Sequence, residues 1–244
     1  MNGRALLRVA ALVGWFAVAA PLHLLTRATG RSRWPRRFLR VATRIMGARL
    51  TVEGAPLAPG TLIVANHTSW LDIPLLAGAT GCAFVSKQEV RGHPLLRWLA
   101  DQNATIYVDR SDRRGMPAQA QAIRAGLARG QALAIFPEAT TGDGGTLLPF
   151  KPALLSAVAP PPDGVTVRPV AVDYNGAAPE FGWHGDETGK DNARRVLGRR
   201  GSVPVTVRLL DPLPPLKDRK ALAGMARDAI AAALAPSGVA PAGL

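Results

Sequence analysis

Apolar residues along this chain fall into two patterns that alternate. Short runs at Arg49–Glu53, Thr61–Ala65, Ala83–Ser86, Thr105–Val108, Ala132–Phe136, Thr166–Asp173 and Val205–Leu210 predict strands. Between them, residues 70–79, 94–101, 116–129, 151–158, 190–199 and 218–235 carry helix-like spacing. Gly130 closes the third of these as a C-cap, and Asp218 opens the last as an N-cap with Pro236 as its stop. Strands separated by helices predict an α/β fold with a mixed, mostly parallel central sheet and helices on both faces. The proline in Val167-Arg168-Pro169-Val170 suggests that this strand lies at an edge or a sheet opening. Pro160-Pro161-Pro162-Asp163-Gly164 reads as a loop because a strand follows at once, and no repeats are present.

The first fifty residues depart from this pattern. Val9–Leu25 is apolar with only His23 polar, and an arginine-rich stretch holding Trp34 and Phe38 follows. Ten arginines and no acid lie in these fifty residues, so most of the net charge of +13 sits there. A basic stripe alone would suit nucleic acid or an anionic membrane surface. Apolar burial beside arginine, with tryptophan near the boundary, selects the membrane, and no nucleic-acid module accompanies it. The expected anchor is a helical hairpin of about residues 4–25 and 34–47, its first helix short for a span and kinked at Pro21. Ala17-Val18-Ala19 could pass for a signal-peptidase site, but the arginines after it oppose export. The reading is therefore a retained anchor over 1–48, an α/β domain over 49–235 and a flexible tail over 236–244, at the cytoplasmic face of the inner (plasma) membrane.

Composition narrows the chemistry. With 244 residues, 48% hydrophobic, the chain can bury a sizeable core. The single Cys82 excludes an internal disulfide and reads as core. His23, His67, His93 and His184 are too scattered for a metal site. Ser69 and Ser156 lack the Gly-x-Ser-x-Gly elbow of a serine hydrolase.

The candidate chemistry begins at Asn66-His67-Thr68-Ser69-Trp70-Leu71-Asp72, directly after the run Thr61–Ala65. Five residues turn a helix by about 500°, so His67 and Asp72 would not share one helical face. They can meet if His67 lies in the turn and Asp72 in the first helical turn. Asp72 would then orient one imidazole nitrogen and leave the other as a base. That is a triad without a protein nucleophile, suited to a substrate that brings its own hydroxyl. The spacing alone is weak, and a helix-start role for Asp72 competes with it. Further blocks follow later strands: Phe84-Val85-Ser86-Lys87, Ile106-Tyr107-Val108-Asp109-Arg110, and Phe136-Pro137-Glu138-Ala139-Thr140-Thr141 with Gly142, Gly144 and Gly145 next.

Taken in order, these blocks resemble the phospholipid/glycerol acyltransferases, the family of 1-acylglycerol-3-phosphate acyltransferases. His67 and Asp72 match its HxxxxD block, Tyr107–Arg110 its aromatic-aliphatic-Asp-Arg block, Phe136–Thr140 its FPEGT block, and Val167–Val172 its proline-containing strand. The resemblance covers roughly residues 50–175. It implies acyl transfer from an acyl-CoA or acyl carrier protein thioester to the free hydroxyl of a lysolipid, in phospholipid biosynthesis. No other cofactor and no metal are implied. In that scheme His67 is the general base, Asp72 fixes its tautomer, and Arg110 and Glu138 position the acceptor with Asp109, Ala139, Thr140 and Thr141 around them. Lys87 or backbone N–H groups after the FPE block stabilise the carbonyl oxygen.

Two departures qualify the substrate. Ala139 replaces the glycine of FPEGT, so the loop must avoid positive φ or be strained. Thr141 stands where many members carry an arginine that holds the acceptor phosphate. The resemblance ranks 1-acylglycerol-3-phosphate first as acceptor. Lyso-ornithine lipid, which has a hydroxyl and no phosphate, is the alternative, and a non-catalytic lipid-binding protein of the same fold is a more distant one.

Overall fold

The structure is a computed structural model that describes residues 2–28, 32–109 and 114–235. Seven strands form one sheet: β1 (Ala48–Glu53), β2 (Thr61–Ala65), β3 (Ala83–Lys87), β4 (Ile106–Val108), β5 (Leu133–Ile135), β6 (Thr166–Asp173) and β7 (Val203–Leu209). Their spatial order is β1-β7-β6-β2-β5-β3-β4. Every neighbouring pair is parallel except β6 with β7. The expected mixed, mostly parallel sheet is therefore present, and β6, β2, β5, β3 and β4 all point their carboxyl ends the same way. β2 is buried along its whole length, as a strand covered on both faces requires.

Around the sheet lie α1 (Gly3–Arg27), α2 (Trp34–Ile45), α3 (Asp72–Thr80), α4 (Pro94–Gln102), α5 (Met116–Ala128), α6 (Gly189–Gly198) and α7 (Arg219–Leu234). Residues Pro152–Val158 form a 3-10 helix rather than the expected α-helix. Pro160 disfavours the α-helical region at Ala159, which is extended at φ −125°, so the segment ends after barely two turns. Cys82 is fully buried just before β3, and burial pushes its thiol up to about 12. Arg110 and the tail from 236 lie outside the described residues.

The proline-bearing strand β6 is not at an edge. It is interior, between β2 and β7. The Leu210 N–H donates to the Pro169 carbonyl at 3.1 Å, and an ordinary residue at 169 would return a bond to the Leu210 carbonyl. That carbonyl instead accepts from the buried Arg168 guanidinium, which also bonds the Leu209 and Pro56 carbonyls. The side chain next to the proline supplies the missing donor, so the proline is tolerated inside the sheet.

The N-terminal hairpin packs onto this body. α2 lies against α3, where the Arg36 guanidinium bonds the Gly78 and Ala79 carbonyls. Ala42 and Met46 share a core cluster with Leu71 and Leu75. α1 is tied down at both ends. The Asn2 amide reaches the Gly198 carbonyl at 2.9 Å, and Arg8 reaches the Leu197 and Gly201 carbonyls at 3.0 and 2.8 Å. At the far end His23 bonds Gln102 of α4 at 3.0 Å, while Phe16 packs edge-on against Trp98. By length and composition α1 could cross a membrane, and Leu7, Val13 and Leu25 stand exposed on its outer side.

Candidate active site

Because five strands share one direction, the residues that follow them line one edge of the sheet. Across that edge stand Tyr174 after β6, His67 after β2, Glu138 after β5, Lys87 at the end of β3 and Asp109 after β4. The carboxyl edge of a parallel sheet is where side chains on a rigid frame meet open loops.

His67 and Asp72 meet as the turn geometry requires. Imidazole Nδ1 lies 3.0 Å from Asp72 Oδ2. The same oxygen accepts the backbone N–H groups of Thr68 at 2.7 Å and Ser69 at 2.8 Å. Asp72 is thus both the helix-start residue and the partner of the histidine, so the two roles weighed from sequence coincide. Its other oxygen, Oδ1, accepts from the Tyr174 hydroxyl at 2.6 Å, and Asp72 is fully buried. A carboxylate surrounded by donors places the imidazole proton on Nδ1 and leaves the Nε2 lone pair.

The ring is held from the other side as well. It stacks on Phe136 with centroids 4.0 Å apart and planes 13° from parallel. Glu138 Oε1 accepts the backbone N–H of His67 at 2.5 Å, and its Oε2 accepts that of Leu148 at 3.0 Å. Burial raises the Glu138 carboxyl above the ordinary range, and the two N–H donors oppose that rise. Glu138 therefore acts on the turn that carries His67. Ala139 sits in the left-handed region at φ 66°, where its N–H donates to the Phe136 carbonyl at 3.1 Å. The strain expected if the loop needs positive φ is present.

A cleft of about 460 Å³ opens beside His67, walled by Glu138, Gly144, Asp173, Pro179 and Leu234 among others. No lysine or arginine is among the described residues lining it. Gly144, at φ 83°, packs its Cα so close to the Ala178 carbonyl that a Cβ there would lie 2.5 Å from it. Of the expected site residues, His67, Asp72 and Glu138 are brought together and Ala139 shapes their turn. Lys87 and Asp109 sit farther along the same edge, outside the cleft lining. Thr140 and Thr141 form the approach to its glycine loop.

The geometry is matched by kinship. The profile of the family described as Acyltransferase fits residues 49–173. The chain belongs to the acyltransferase family. A lyso-ornithine lipid O-acyltransferase of Brucella abortus is 35% identical, over 90% of each chain. Another of that description, from Pseudomonas aeruginosa, is 36% identical over 95% of this chain and 93% of its own. A 1-acyl-sn-glycerol-3-phosphate acyltransferase of Neisseria gonorrhoeae is 38% identical over 57% of this chain and 51% of its own. In fold, the acyltransferase is similar to the crystal structure of the 1-acyl-sn-glycerophosphate acyltransferase of Thermotoga maritima. That likeness has a TM-score of 0.63 at 20% identity, over 96% of this chain and 100% of the other.

Three features of this acyltransferase escape sequence reasoning. Phe136 reads as strand end, yet it is the floor under the imidazole. Tyr174 stands just past the last matched block, Val167–Val172; its signal is a polar residue just past a buried strand at the edge that carries His67. The segment from residue 176 onward, beyond the matched blocks, supplies the outer wall of the cleft through Gly176, Ala178, Pro179 and the end of α7.

Proposed function

We propose that the protein is a membrane-attached O-acyltransferase that moves a fatty acyl group from an acyl-CoA or acyl carrier protein thioester to the hydroxyl of a lysolipid. The observation that carries this reading is the His67–Asp72 pair at 3.0 Å, beside an open cleft, with Nε2 left for substrate. Nε2 takes the acceptor hydroxyl proton as the oxygen attacks the thioester carbonyl. An ester C–O bond forms, the C–S bond breaks, and the imidazolium returns the proton to the departing thiolate. Positioned proton transfer of this kind contributes about 10²–10⁴-fold. The Ala139 N–H is committed to Phe136, so Thr140 and Thr141 are the backbone donors of that block available to the carbonyl oxygen.

Between the two acceptors raised by the sequence, lyso-ornithine lipid is the better supported. No lysine or arginine is among the described residues lining the cleft, where Asp173 is already paired with Arg208 at 2.8 Å, and Thr141 brings no charge to replace the arginine of phosphate-binding relatives. A phosphate would meet no cationic side chain among the described lining residues, which favours an acceptor without one. The relatives matched over nine-tenths of this chain carry the lyso-ornithine description.

Attachment follows from α1. A helix of roughly 37 Å, by its rise per residue, that is bound to α6 at one end and α4 at the other runs along the domain, not away from it. It would lie in the membrane interface with its exposed leucines inserted and the arginines of α2 near anionic head groups, and the exposed Leu95 and Leu96 of α4 extend that apolar surface.

The test is thiol release from an acyl-CoA and from an acyl carrier protein thioester, with lyso-ornithine lipid and 1-acylglycerol-3-phosphate offered separately. Release with the ornithine acceptor is expected. Release with the phosphate acceptor alone would overturn the acceptor assignment, and silence with both would overturn the lysolipid reading.

A further inference from the structure

We propose that Tyr174 is a positioning residue for the reaction, the third member of a His67–Asp72–Tyr174 chain in which its hydroxyl fixes the second oxygen of Asp72. This rests on the reading of His67 as the base. The phenol is 1% exposed and packs on Phe181 with centroids 4.8 Å apart, in a pocket where phenylalanine would serve packing equally well. A buried hydroxyl is favourable only where it is bonded, and this one donates to Asp72 Oδ1 at 2.6 Å.

The backbone aims it there. The Asn66 side chain bonds Val172 twice, accepting its N–H at 2.7 Å and donating to its carbonyl at 3.1 Å. This clip locks the end of β2, which carries His67, to the end of β6, two residues before Tyr174. The His67 turn and the tyrosine are therefore held in one register. Burial and the Asp72 charge both drive the phenol well above its usual range, so it stays a donor at any working pH.

With Nδ1, two backbone N–H groups and the phenol around it, the carboxylate has no freedom to rotate. The phenol also draws charge away from the oxygen facing the imidazole. The titratable groups facing this carboxylate are His67 from the turn after β2, Glu138 after β5 and Tyr174 after β6.

Three enzymes test this against wild type: Tyr174→Phe, His67→Ala, and a Tyr107→Phe enzyme grown with 3-fluorotyrosine. The chain has two tyrosines, so the label in the last reports on Tyr174 alone. kcat/KM for thiol release is followed against pH. Tyr174→Phe should lower kcat about tenfold with KM little changed, a loss typical of outer partners that orient a functional ligand. Its acidic limb should move to higher pH, because an Asp72 with less dispersed charge retains the imidazolium longer. The fluorinated phenol donates more strongly, so its limb should move to lower pH in an intact fold, even if the phenylalanine variant folds poorly. An unmoved limb in both, with His67→Ala silent, would overturn the role of Tyr174 and spare the base. Turnover by His67→Ala would overturn the base itself, and the chain with it.

Discussion

Replacing Ala139 by glycine should stabilise the protein, and the amount can be worked from one dihedral angle. Ala139 holds φ at 66° to close the turn after β5, with its N–H on the Phe136 carbonyl. A residue with a Cβ gives up about 1–2 kcal/mol in that conformation. Glycine relieves the clash but loosens the unfolded chain, which takes back about 0.4–1 kcal/mol. The net gain is about 0.5–1 kcal/mol, or roughly 1–4 °C in Tm for a chain of this size. The five tryptophans give a direct fluorescence signal for thermal unfolding of the detergent-solubilised protein. Ala139→Val serves as the opposite control, since a β-branched side chain fits positive φ worse still. A glycine variant with an unchanged or lower Tm would refute the reasoning. The methyl group would then contribute packing that outweighs the strain.

Two further outcomes follow from the ion pairs and clasps. Arg8→Ala removes guanidinium bonds to the Leu197 and Gly201 carbonyls, each worth about 1.5–3 kcal/mol when the donor is charged. It should free the start of α1, seen as faster limited proteolysis there and weaker sedimentation with anionic vesicles; unchanged proteolysis would count against the clasp. Glu187 is held at about 2, below its ordinary 4.5, first by its hydrogen bond from Arg195. Its depressed value makes the pair's contribution complete above pH 4.5 and progressively lost as pH falls toward 2. The Tm gap between wild type and Arg195→Met should accordingly narrow over that range, and a gap that is constant with pH would contradict the assignment.

Much of the frame is legible in the chain because burial on both faces leaves little choice. Thr61–Ala65 is a strand within the predicted bounds, since a largely apolar run of that length has nowhere to go but the middle of a parallel sheet, and Thr166–Asp173 matches its predicted bounds despite Arg168 and Pro169. Pro169 misleads for a physical reason: the donor that compensates it comes from Arg168 and a carbonyl more than forty residues away, which no local pattern encodes. The same holds at the site. His67 and Asp72 are five residues apart and readable as a pair, whereas Tyr174 lies 102 residues beyond Asp72 and meets it only through the pairing of β2 with β6. Glu138 is readable as a site residue, but not as the acceptor of His67's own N–H, because backbone bonds across a sheet edge leave no trace in side-chain spacing.

The most direct test of the central claim is a single-turnover measurement of His67→Ala beside wild type. Both are reconstituted in the same anionic vesicles with an acyl thioester and lyso-ornithine lipid, and acyl-lipid formation is read by mass. The account predicts equal vesicle binding by a folded enzyme, with product formation lowered by at least about 10²-fold, the lower bound for a lost general base. Near wild-type product from a folded, vesicle-bound His67→Ala enzyme would contradict it.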